Sequence, residues 1–237
     1  MSDQIDSSTF YSEEIENLIV YKTYYQSNQI YKKNFDLDNR ITSEGYISKS
    51  NNRVGKWSLY DKSSYLKEVH EYFEIEEDEY LNQSWAFDKS GDTLFSKSKF
   101  VEFLFNKDTI PLNEPLRAAV YLRANLFEYE DSGFYVLLSK GYENNLEEKF
   151  ANEKKIELDT FYSLAIDSLN AGVFDSEIDS KYLVPFGKWF KTNGDKTLRG
   201  IAIEYHKEKL KDKDSFYIEV NKTYFEKKLH VKDSVVH

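Results

Sequence analysis

The chain has 237 residues and a formal charge of −10, from 32 Lys and Arg against 42 Asp and Glu. Hydrophobic residues make up 40% and aromatic residues 16%, with 9 Gly and 3 Pro; this is apolar material for a sizeable core and excludes a wholly disordered, collagen-like or low-complexity chain. The acidic balance argues against nucleic acid as a partner, because phosphates call for a basic face, and a chain without Cys has no disulfide, thiolate metal site or cysteine nucleophile.

Residues 1–17 form a polar start that lacks a basic stretch followed by an apolar one. No segment approaches the roughly 20 apolar residues that span a bilayer, so no membrane span is expected. Such a start is also what remains when an export signal or a lipid-anchored leader is cut away. A cell-envelope or extracellular protein is therefore one expectation, and a cytoplasmic protein the other. Residues 18–105 read as short strands rich in Tyr, Phe, Ile and Trp, separated by Asp, Asn, Ser and Gly, the pattern of consecutive β-hairpins. Residues 106–115 hold Pro111 and Pro115 and are expected to link two domains. Residues 116–237 carry period-two alternation, as in Ala118, Val120 and Leu122, in Phe134, Val136 and Leu138, and in Ile201, Ile203 and Tyr205. About seven strands are expected there, over 116–122, 134–138, 160–166, 182–190, 197–205, 216–220 and 223–231, forming a β-sandwich. Asn193-Gly194 predicts a hairpin between two of them, Gly200 is expected to fall inside a strand, where a bulge would tolerate it, and 144–156 reads as a short helix with Leu146, Phe150 and Ala151 on one side. The fold class is all-β.

Within the hairpin region a loose repeat appears. Phe35-Asp36, Tyr60-Asp61 and Phe87-Asp88 each place an aromatic before an Asp, at spacings of 25 and 27 residues, and an apolar residue follows at Ile41, Leu66 and Leu94. The aromatic ends a strand, the Asp closes a turn by local hydrogen bonds, and the apolar residue begins the return. Gly55, Lys56, Trp57, Tyr60 and Asp61 form a string that resembles the MORN-like repeat of bacterial proteins. Ser43-Glu44-Gly45-Tyr46 is similar to its Gly-Tyr strand, and Trp85 to Asp88 keeps the Trp and the Asp. The resemblance covers residues 21–100 and implies stacked hairpins used for binding or scaffolding, with antitoxin-like partner proteins among the relatives. Residues 196–232 are similar in texture to the last strands of an immunoglobulin-like domain of bacterial surface proteins, which implies a sandwich and no particular ligand.

Catalytic patterns are wanting. The acidic groups at 74–79 and 175–179 could supply some of the about six to eight oxygens that Ca²⁺ takes, but lack the spacing of a calcium loop. The histidines at 70, 206, 230 and 237 have no zinc-site spacing. Nucleophile-elbow and phosphate-loop strings are lacking, and with 42 acidic residues no carboxylate pair can be singled out for glycoside hydrolysis. No cofactor, metal or catalytic residue is expected. Trp57, Tyr60, Tyr72, Trp85 and Phe87 are candidates for contact with a protein or a surface glycan, with core packing the favoured role for Trp57 and Trp85. These observations predict a non-catalytic protein-binding or scaffold module. Carbohydrate binding or processing at the cell surface and an antitoxin-like partner are the alternatives.

Overall fold

A computed structural model of the chain describes residues 11–15, 18–24, 30–105, 107–127, 129–141, 145–167, 178–209 and 215–233. The chain divides into two compact units, Met1–Lys99 and Phe100–His237, and is all-β.

The first unit is one antiparallel sheet in which each strand pairs with the next: β1 (Tyr11–Ile15), β2 (Leu18–Tyr24), β3 (Ile30–Asp36), β4 (Ile41–Ile47), β5 (Arg53–Tyr60), β6 (Leu66–Ile75) and β7 (Asp78–Ala86). The sheet thus begins inside the stretch expected to be a polar lead. Such a meander follows from short turns, since antiparallel neighbours need only a tight connection. The expected Asp turns are all present. Asp36 Oδ1 accepts the Asp38 and Arg40 amides at 3.0 and 2.9 Å, Asp61 Oδ1 those of Ser63 and Tyr65 at 2.7 and 3.1 Å, and Asp88 Oδ1 those of Ser90 and Asp92 at 2.8 and 3.0 Å. In each turn the residue three after the Asp (Asn39, Ser64 or Gly91) has positive φ, and its amide donates to the Asp carbonyl. One turn chemistry is used three times.

The second unit has two sheets. β8 (Phe100–Phe105), β10 (Leu116–Ala124) and β13 (Leu183–Lys188) form one, in the order β13-β10-β8. β9 (Thr109–Pro111), β11 (Ser132–Ser139), β12 (Leu158–Tyr162), β14 (Gly194–Lys209) and β15 (Phe216–Lys232) form the other, in the order β12-β11-β14-β15-β9. Val120, Leu122 and Phe186 of the first meet Phe134, Val136 and Phe225 of the second in one buried cluster, so the two apolar faces make a sandwich.

Several expectations are corrected here. The boundary lies ahead of residues 106–115, because Phe100–Phe105 pairs with β10. Pro111 sits on an edge strand parallel to β15, a place where the missing N–H costs no ladder bond. Residues 160–166 yield the strand Leu158–Tyr162 and then turns. Asn193-Gly194 connects strands of different sheets, because the apolar faces of β13 and β14 oppose each other across the core and do not lie side by side. The two strands expected at 216–220 and 223–231 are one strand of 17 residues. Among the described residues of 144–156 there is only a 3₁₀ turn, Glu148–Phe150, with Lys149 and Phe150 at positive φ. Asn152 explains it: its side chain accepts the Glu147 amide at 2.8 Å and donates to the Asn145 carbonyl at 3.0 Å, bonds that compete with a helix. Leu146 and Phe150 are still buried, and Phe150 meets Tyr224 at 4.6 Å between ring centroids. Gly200 falls inside a strand, as expected, and does so in an unbroken stretch of pairing without a bulge. A Cβ there would stand 2.3 Å from Phe225 Cζ and 2.6 Å from Leu138 Cδ2, so the glycine makes room for a ring.

Candidate functional site

The five aromatics singled out in the sequence are brought to the strands β5 to β7 and to the turn after β7, but they divide by burial. Trp57 and Tyr72 are each 3% exposed and form, with Ile47, the small core of the first sheet. The Trp57 ring lies flat over Gly45, where an added Cβ would stand 2.5 Å from it, and its indole N–H donates to the Tyr46 carbonyl at 2.7 Å. Burial takes these two out of the contact set. Tyr60, Trp85 and Phe87 are half-buried. The Tyr60 hydroxyl donates to Glu44 Oε1 at 2.6 Å, and the Lys56 ammonium stands 4.9 Å above the Trp85 ring, a cation–π contact. Phe87 is held by its backbone, donating to the Lys67 carbonyl at 2.9 Å.

On the Trp57 face a shallow recess of about 310 Å³ is lined by Lys32, Asn34, Ser43, Arg53, Leu59 and Glu79, among others. Its charges are engaged. Arg53 donates to Glu79 Oε1 at 2.5 Å through the guanidinium and to Oε2 at 2.7 Å through its amide, and its guanidinium lies 4.0 Å from the Tyr72 ring centre. Burial works to raise the Glu79 carboxyl, yet the Arg53 bonds prevail and hold it below the usual carboxylate range. Glu44 behaves alike: burial opposes its ionisation, and the donors Tyr60, Lys33 and Tyr31 more than offset that. Burial and Glu44 together push the Tyr31 phenol far up. Along β6, His70 bridges Glu68 Oε2 at 2.8 Å and the Tyr72 hydroxyl at 3.2 Å. Each of these groups is tied into the sheet.

The acidic run at 74–79 resolves into a hairpin turn. Ile75 pairs with Asp78, and Glu76 and Glu77 occupy the turn with φ of 51° and 75°, the left-handed pair of a type I′ connection. The other acidic run falls partly on residues 175–177, outside the described set, as does His237. Among the described residues no group of three or more His, Asp or Glu is placed to hold a metal.

Two buried polar residues that the sequence did not flag fix loops of the second unit. Glu204, 1% exposed, accepts the Leu126 and Phe127 amides on Oε1, each at 2.8 Å. Lys188 donates to the carbonyls of Ser139 and Gly141, each at 2.6 Å. Burial lowers its ammonium pKa, and Asp159 opposes that in part.

The most open apolar surface is elsewhere. β14 and β15 pair along their whole length, but β11 leaves β14 at His206, and among the described residues β9 covers the far edge of β15 only at His230–Lys232. Past Lys207, whose amide donates to the Asp131 carbonyl at 3.3 Å, Glu208–Lys209 and Phe216–Tyr217 overhang as a two-stranded ribbon. Phe216, Tyr217, Ile218 and Val220 are 59, 55, 52 and 48% exposed, and the outer backbone edge of this stretch pairs with no described strand. Composition marks 216–220 as a strand; only strand order reveals that its edge is open. No helix among the described residues is long and apolar enough to cross a membrane. Comparison of the chain with protein-family models, curated proteins and solved structures finds no match.

Proposed function

We propose that this chain is a non-catalytic protein-binding module that docks a partner along the outer edge of β15. The observation that carries this reading is the overhanging ribbon, whose outer edge over 216–220 pairs with no described strand and carries four large exposed apolar side chains. A backbone edge gives affinity through main-chain hydrogen bonds, and the flanking side chains give selectivity. An edge without such a role is normally blunted by charge, proline or a bulge; residues 216–220 carry one charge, Glu219. Acid–base groups elsewhere support the same reading, because Glu44, Glu79, Glu204 and Lys188 are engaged in holding strands and loops. The three identical Asp turns support kinship of the first sheet with MORN-like hairpin repeats, which fits a scaffold.

The test replaces Tyr217 by a photoreactive phenylalanine analogue in cells that make the protein. Irradiation is expected to give a covalent protein adduct at this position and none from the same analogue at Tyr65, which is equally exposed in the first unit. Equal labelling from both positions refutes the reading. So does a glycan-array signal that disappears in Trp85→Ala, which would turn the assignment to carbohydrate.

A further inference from the structure

We infer that the partner of the β15 edge is a second copy of this chain, paired antiparallel about a two-fold axis at Ile218; this rests on the protein-binding reading above. The side-chain order over residues 216–220 is self-complementary about Ile218, whereas centring on Tyr217 sets Val220 against Asp214. With Ile218 opposite itself, Phe216 faces Val220 of the second copy on one side of the new ladder, and Tyr217 faces Glu219 on the other. Residues directly opposite in an antiparallel pair share a face, so apolar groups meet apolar groups and the carboxylate meets a phenol. Shifting the register by one residue sets Glu219 against Ile218 or Phe216, and centring it on Glu219 sets two carboxylates together, an unfavourable pair. The interface is isologous and closes, which stops edge-to-edge growth after two copies.

Area fixes the strength. Exposures of 59, 55, 52 and 48% leave on the order of 100 Å² on each of the four side chains, so the two copies together bury at most roughly 800 Å². Stable complexes bury about 1,200 Å² or more, which makes this a weak dimer that forms with concentration.

The 237-residue chain tests it directly. Having no Cys, it accepts a single reporter thiol. Ile218→Cys sets two Cα atoms about 5 Å apart across the ladder, within disulfide reach, and mild oxidation is expected to give a linked dimer. Phe216→Cys sets them about 14 Å apart and should stay unlinked. Sedimentation velocity from about 10 μM to about 1 mM should show the mass rising toward two copies. Ile218→Lys should hold the chain at one copy with an unchanged circular-dichroism spectrum. A single-copy mass throughout, or equal cross-linking from both cysteines, overturns the inference. A heterologous adduct at Tyr217 beside a single-copy mass overturns self-pairing while leaving protein binding in place, and no adduct of either kind removes both.

Discussion

Trp57 and Gly45 form a packing pair whose strength a double-mutant cycle can read. Trp57→Ala removes a ring that is 3% exposed and bonded to the Tyr46 carbonyl, and truncations of this kind cost about 3 to 5 kcal/mol. Gly45→Ala alone drives a Cβ to within 2.5 Å of the indole, and overpacking typically costs about 1 to 3 kcal/mol. Together the two changes should cost less than their sum, because the new methyl enters space the ring has left. In the Trp57→Ala background Gly45→Ala should even stabilise, by about 0.5 to 1 kcal/mol, since glycine inside a strand is the costlier residue. Urea denaturation followed by far-UV circular dichroism measures the four stabilities. Hydrogen exchange at the β4 and β5 amides assigns the transition to this sheet. Costs that add to within about 0.5 kcal/mol would refute the packing argument.

Glu204→Leu leaves the Leu126 and Phe127 amides without their acceptor and should cost about 2 to 5 kcal/mol; exchange of those two amides should quicken more than that of the β11 amides. Replacing the turn Glu76-Glu77 by Asn-Gly suits both positive-φ positions and should raise stability by about 1 kcal/mol or more, read as a higher urea midpoint at unchanged slope. Acid should weaken the first sheet. Asp36, held low by the Arg40 amide, Asp88, by Ser90, Glu68, by Lys67, and Glu79, by Arg53, all have depressed folded-state values. Their stabilisation is present above the ordinary carboxylate range and is lost as pH falls through the folded-state values. Urea midpoints should therefore be level from pH 7 to about 5 and fall below about pH 4; a midpoint that rises on acidification would contradict the sign.

What the sequence by itself determined was local and periodic. Aromatic-Asp spacing found three turns because the Asp side chain bonds amides two and four residues on, a contact that needs no distant partner. Alternation found the sandwich strands, because side chains alternate with period two whichever strand lies alongside. Tertiary structure decided the rest. Asn193-Gly194 reads as a hairpin locally, yet whether flanking strands pair or face each other across a core depends on which sheet each joins. Apolar spacing at Leu146 and Phe150 suits a helix, and the Asn152 bonds settle a different backbone. Trp57 and Tyr217 are alike to a sequence reading as strand aromatics in an acidic chain. The first is covered by Gly45 and its neighbours, and the second is left at an open edge by the ending of β11 and β9. The surplus of aromatics in this chain thus serves two ends, and only strand order separates them.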